Sequence, residues 1–252
     1  MEISARVWDK YIADLRKVSD TAANKFRTFL LAHPERDKET VNALIELAYA
    51  LGTKYGEAAG ELAAQMYDAI AEASGVILEP AVIAETATMS EAAKAVVGTL
   101  KTNNPDIVAD AVGRMVKMAG VDTTMQNAIR DRAEWAWIPR GDTCAFCIAL
   151  ASQGWRPASK AQMKGNHAEH IHANCDCTFA IRFNRDTDVE GYDPRKYREM
   201  YSEADGRSAQ DKINAMRREF YAENSEEINA QKRDAYAKRT ERNSSAAEED
   251  DV

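Results

Sequence analysis

The chain has 252 residues, room for one large domain or two modest ones and for a sizeable buried core. Apolar residues make up 45% and charged residues 29%, which fits a soluble folded protein better than a disordered or membrane one. A balance of 33 basic against 41 acidic residues leaves a formal charge of −8, which argues against general, charge-driven binding to nucleic acid.

No apolar run reaches the roughly 18 residues that a membrane-spanning helix needs. The opening residues, from Met1 to Trp8, lack the basic-then-apolar order of a secretory signal. Synthesis in a reducing cytoplasm is therefore expected.

From the start to about residue 138 the chain reads as helices. Val7, Trp8, Tyr11, Ile12, Leu15, Val18, Ala22, Phe26, Phe29 and Leu30 recur at steps of three and four, the mark of one long amphipathic helix. His33-Pro34 ends it, because proline disfavours helical geometry in the residue before it. A second pattern runs from Val41 to Leu51, and an alanine-rich third follows Gly52. Ser90 before Glu91 reads as an N-cap. Asn104-Pro105-Asp106 places a cap, a first-turn proline and a dipole-matched acid in order. Gly120 is expected to divide that helix from another ending near Trp135 and Trp137. The segment Val76 to Thr88, with Pro80 and no clear period, reads as a crossover loop or a contact surface. The apolar and aromatic residues of this half are explained by core packing.

The texture changes between Pro139 and Phe183. All four cysteines of the chain lie here, as Cys144-x2-Cys147 and His172-x2-Cys175-x-Cys177. Thiolates with two residues between them can grip one soft cation through a tight turn, and a second pair roughly 15–30 residues later closes a tetrahedral site. Cysteines confined to one cluster favour metal over disulfides. Ile148, Ala149 and Leu150 suggest a short helix running to Gly154-Trp155. After the second cluster, Phe179, Ile181 and Phe183 alternate with Thr178, Ala180 and Arg182 as a strand.

Five residues compete for about four positions in a structural zinc site: Cys144, Cys147, His172, Cys175 and Cys177. Cys144 and Cys147 have the commonest knuckle spacing, while His167 and His170 read as solvated or as supporting groups. The alternative is a set of reduced, buried thiols that hold no metal. A catalytic zinc would need an open position and a base, for which Glu169 is the candidate. The deaminase order of His-x-Glu, proline and C-x2-C is not met, and the helical metalloprotease string is absent. A nuclease of the His-Asn-His type, using Asn166, His170, His172 and Asn174, remains as a second reading. A thiolate-rich ligand set favours structure over catalysis.

These residues carry a resemblance. Asp142-Thr143-Cys144-x2-Cys147-x2-Leu150, followed by His172-x2-Cys175-x-Cys177 leading into a strand, resembles the motif of the minor capsid, or Mu F-like head morphogenesis, proteins of tailed bacteriophages. Those families carry His-Pro-x-Cys-Arg-Cys in the second half. Here Ala173 stands for the proline and Asp176 for the arginine, the pattern of a divergent branch. Ala149 to Gly154 is similar to the LASRG string of actinobacterial-phage members, and Glu227 to Tyr236 to the charged helices that end many phage head proteins. The resemblance covers about 45 residues, by the spacing of its zinc-type motif. It implies a structural component of the head that binds portal or major capsid subunits, made in the host cytoplasm and found inside the capsid or at the portal vertex. It implies no enzymatic activity.

From Asn184 to Asn243 the chain holds 13 basic and 14 acidic residues, mixed and not in blocks. Tyr197, Met200 and Tyr201 share a helical face, as do Ile213, Met216, Phe220 and Tyr221. The second face is either a narrow stripe on a solvated helix pair or a docking surface for a neighbouring subunit. Ser244 to Val252 reads as a disordered acidic end.

The expected fold is mainly α. A helical bundle (1–138) precedes a small zinc-stapled α+β insert (139–183), a charged helical tail (184–243) and the acidic end (244–252).

Overall fold

The computed structural model describes residues 2–139, 144–160, 178–227, 229, 230 and 233. Among them the chain is mainly helical with a small sheet. Helix α1 (Ala5–Ala32) starts at Ser4, whose side chain accepts from the Arg6 amide, and stops at His33, before Pro34. Its apolar stripe is buried as the spacing requires, with Trp8, Ala22 and Phe26 fully covered. Helix α2 (Lys38–Ala73) is capped by Asp37 and runs through Gly52 without a break, so the two expected segments are one 36-residue helix.

Helix α3 (Met89–Leu100) begins at Thr88 and not at Ser90. Thr88 and Glu91 form a reciprocal capping box, in which the Glu91 carboxylate accepts from the Thr88 amide at 2.7 Å and from its hydroxyl at 2.9 Å. Helix α4 (Pro105–Arg130) starts at Asn104 and Pro105 as the sequence requires, but continues through Gly120 to Arg130. Gly120 is not a break. A Cβ there would lie 3.2 Å from the Ala59 carbonyl oxygen and 3.3 Å from the Tyr11 hydroxyl, so the glycine lets α2 and α1 approach α4 closely. Helix α4 packs against α1, α2 and α3. Its buried residues therefore reach well round the axis, from Val108 and Val112 to Lys117, Thr124 and Met125.

The stretch from 76 to 88 is an extended strap laid between α2 and α4. On the α2 side it sits in a groove of small residues: a Cβ on Gly60 would collide with Ile83, and one on Gly52 or Gly56 would press tightly on Ala87 or Thr86. On the α4 side buried polar side chains take its backbone groups. Asn127 accepts from the Val82 amide at 3.0 Å and donates to the Val82 carbonyl at 2.8 Å, and Thr123 Oγ1 accepts from the Ala84 amide at 3.0 Å. Asp68 accepts from the Ala81 amide at 2.9 Å.

Trp135 and Trp137 lie on a strand, not at a helix end. Strand β2 (Glu134–Ile138) is the centre of a three-stranded antiparallel sheet, between β3 (Arg156–Pro157) and β4 (Thr178–Arg182). A separate parallel pair joins β1 (Glu2–Ile3) to β5 (Asp188–Val189), tying the start of the chain to the segment after β4. Helix α5 (Ala145–Ala151) covers β2. Helices α6 (Pro194–Glu203) and α7 (Ala209–Glu223) pack on α5. One buried cluster contains Trp8, Tyr67 and Val116 of the bundle together with Trp137, Cys147, Ile181 and Val189. The sheet thus crosses the expected boundary at residue 138.

The apolar stripe of α7 divides. Ile213 and Met216 are buried against Ala145 and Ile148 of α5 within the same chain, while Phe220 and Tyr221 remain 53% and 44% exposed.

Candidate metal centre and its scaffold

Cys144 occupies the N-cap position of α5, with extended backbone geometry and no side-chain capping hydrogen bond, and Cys147 is the third helical residue. Residues three apart on a helix are neighbours on one face, so the C-x2-C spacing places both side chains on the same end of α5. Cys147 is buried at 1% exposure within the main core, and Cys144 is half-buried at its edge. The remaining expected ligands, His172, Cys175 and Cys177, lie outside the described residues, as do Asn166, His167, Glu169, His170 and Asn174. Among the described residues no group of three or more His, Cys, Asp or Glu side chains converges on one point.

The sheet determines where the two cysteine segments leave and return. Ile138, the last residue of β2, pairs with Thr178, the first of β4. Thr178 directly follows Cys177 in sequence, and Cys144 follows Ile138 by six positions. The chain therefore leaves the sheet toward Cys144-x2-Cys147 and re-enters it from Cys175-x-Cys177 at the same end.

This scaffold is held by contacts that the motif alone does not reveal. Glu134 and Arg182 face each other across β2 and β4, and the Arg182 guanidinium meets the Glu134 carboxylate at 2.7 Å. Such an opposite-charge pair stabilises the register, and burial protects it from screening. The same guanidinium stacks 4.5 Å from the Trp155 ring, and its Nη1 donates to the carbonyls of Arg185 and Thr187. Tyr192 packs edge-on against Trp155 and donates its hydroxyl to the Ala151 carbonyl at 3.0 Å, at the C-terminal end of α5. Burial, reinforced by Tyr197, pushes the Tyr192 phenol above its ordinary range, so it stays a donor. The signal for Arg182 in the sequence is its place at the end of an alternating strand. Its partner Glu134 cannot be named before the register is known.

A family model described as VG15 protein matches residues 2–204, most of the chain. The chain belongs to the VG15 family. The VG15 match makes this a viral protein of phage type, and it spans the helical bundle, the cysteine segment and the sheet, ending just beyond α6. Neither the curated proteins nor the solved structures gave a match to this VG15 chain. No helix among the described residues is long and apolar enough to cross a membrane.

Proposed function

We propose that this VG15 protein is a structural minor capsid, or head morphogenesis, component of a tailed phage that binds portal or major capsid subunits. It carries one structural zinc, held by Cys144, Cys147 and two of His172, Cys175 and Cys177. The observation that carries the reading is the family match, which contains the whole cysteine motif that resembles the phage head proteins. The sheet supports the zinc, because Ile138 paired with Thr178 returns the second cysteine segment to the end of the sheet from which the first departs. Zinc would supply cross-linking only, with Cys147 anchoring it to the core from the buried face of α5.

The test is co-expression with the portal and major capsid proteins of the same phage, followed by isolation of assembled heads. The protein should sediment with heads or co-purify with portal, and its metal content should be about one zinc per chain. A protein that binds neither subunit while cleaving DNA in the presence of divalent metal would overturn the structural reading.

A further inference from the structure

A cavity of about 720 Å³ opens between α3, α4 and the end of the strap, lined by no described residue of the cysteine segment and outside the zinc reading. Its size is that of a small-ligand pocket. One part of the wall is apolar, formed by Ala95 of α3 and by Met115 and Met118 of α4. Unbranched methionine side chains adapt to stems of varied shape. The far end is open beside Gly98, where a Cβ would meet nothing within 4 Å.

The charged part of the wall comes from three elements: Glu85 of the strap, Glu91 and Lys94 of α3, and Arg114 and Asp122 of α4. Glu91 is fixed in place by its capping box with Thr88. Burial, with the Glu91 carboxylate adding repulsion, pushes Asp122 up to about 6. Lys94 and Arg114 also line the cavity, so three carboxylates, Glu85, Glu91 and Asp122, face two cations there and the lining carries a net negative charge. Two carboxylates that repel one another beside an apolar slot are the complement of a cation on an apolar stem. Glu91 and Gly98 are seven residues apart. That is about 10 Å of helix, enough for a stem of roughly four to six carbons.

We propose that this cavity binds an alkyl cation, an ammonium or guanidinium group on an unbranched stem, with its head at Glu91 and Asp122 and its stem along Met115 and Met118. A free organic amine and the lysine or arginine side chain of a partner protein both have this chemistry.

The experiment uses the full-length protein with isotope-labelled methionine methyl groups, which report from the cavity wall. Three probes are titrated at about pH 7.5: n-pentylamine, n-pentanol, and lysine blocked at both its amino and carboxyl ends. Pentylamine should shift the Met115 and Met118 methyl signals saturably, and pentanol should bind at least about fivefold more weakly. Pentylamine binding should weaken by a similar factor in Asp122→Asn, and again at about pH 5, where the Asp122 carboxyl is protonated. Glu91→Gln keeps the capping box and removes the charge, so it tests the head-group site even if Asp122→Asn folds poorly. Blocked lysine binding as well as pentylamine identifies a partner's side chain as a fitting source. Binding of pentylamine without blocked lysine identifies a free amine. Equal binding of pentanol, no saturable shift, or an affinity unchanged in both variants overturns the proposal.

Discussion

Asp131 and Asp122 stand at the two ends of what burial does to a carboxylate here. Burial pushes Asp131 up, but hydrogen bonds from Arg130 and from the Tyr67 hydroxyl, at 2.8 Å, outweigh it and hold its carboxyl below the usual range. Arg130 uses its other donors on the Glu79 and Pro80 carbonyls, so this ion pair also anchors the start of the strap. Asp122 has no such compensation and is raised from 3.8 to about 6. The folded state therefore holds the Asp122 proton more tightly than the unfolded chain. The resulting stabilisation is complete below about pH 4 and is lost as pH rises through about 6. Asp122→Asn should thus be more stable than the parent at about pH 8, by on the order of 1 kcal/mol once solvent screening is allowed for. The gain should close by about pH 4, where the parent carboxyl is neutral too. Urea unfolding at the two pH values measures it, and a gain independent of pH would contradict the assignment.

The strap is the element that depends most on other elements. It has no regular structure of its own, so its backbone groups need partners, and Asn127 supplies them by pairing with both the amide and the carbonyl of Val82. Asn127→Ala removes these bonds and a third, to the Thr123 carbonyl at 2.7 Å. Gln126 still reaches the Val82 carbonyl and half of Val82 faces water, so the cost should be about 2–3 kcal/mol and not the sum of three fully buried bonds. Hydrogen exchange should show faster opening of the amides of Ala81, Val82 and Ala84 with α1 unchanged. Uniform loss of protection would mean that the strap and the bundle open together.

The same element shows why parts of the fold were legible in the sequence and parts were not. Local signals carried α1, whose stripe and terminal His33-Pro34 are complete within the segment, and the Asn104-Pro105 start of α4. The glycines misled because their reason is tertiary. Gly52 and Gly120 look like breaks, yet they are where the strap and α2 come close. Trp135 and Trp137 misled for a related reason. A short apolar run buried on both faces has no period that separates strand from helix, and only its pairing with β4 decides. The C-x2-C spacing was legible, since it is local. That Cys147 belongs to the main core, and that Ile213 and Met216 cover α5, could not be read before the packing was known.

At the scale of the whole molecule the question is how far a metal at the cysteine segment would support the rest. The helical half has its own apolar faces, which by themselves would let the zinc segment open alone. The shared core argues for coupling. Cys147 is packed in one cluster with Trp135, Trp137 and Ile181, and that cluster continues without a gap to Tyr67 and Trp8 of the bundle. Tyr67 meets Phe183, just beyond β4, edge-on at 5.4 Å. Under the proposed zinc site, removing the metal leaves Cys147 as a thiol on the buried face of α5 and releases the anchor between α5 and β4. Chelation should then lower the main thermal transition by about 5–10 °C, roughly 2–3 kcal/mol for a chain of this size. Near-ultraviolet circular dichroism, which reads Trp135 and Trp137 in the sheet, should change over the same transition. Cys147→Ser should be more damaging than Cys144→Ser, because it puts a hydroxyl at a site 1% exposed while Cys144 lies at the half-buried edge. The opposite result, a main transition unmoved by chelation with proteolysis confined to about residues 140–182, would show that the metal staples one segment and that the bundle stands without it.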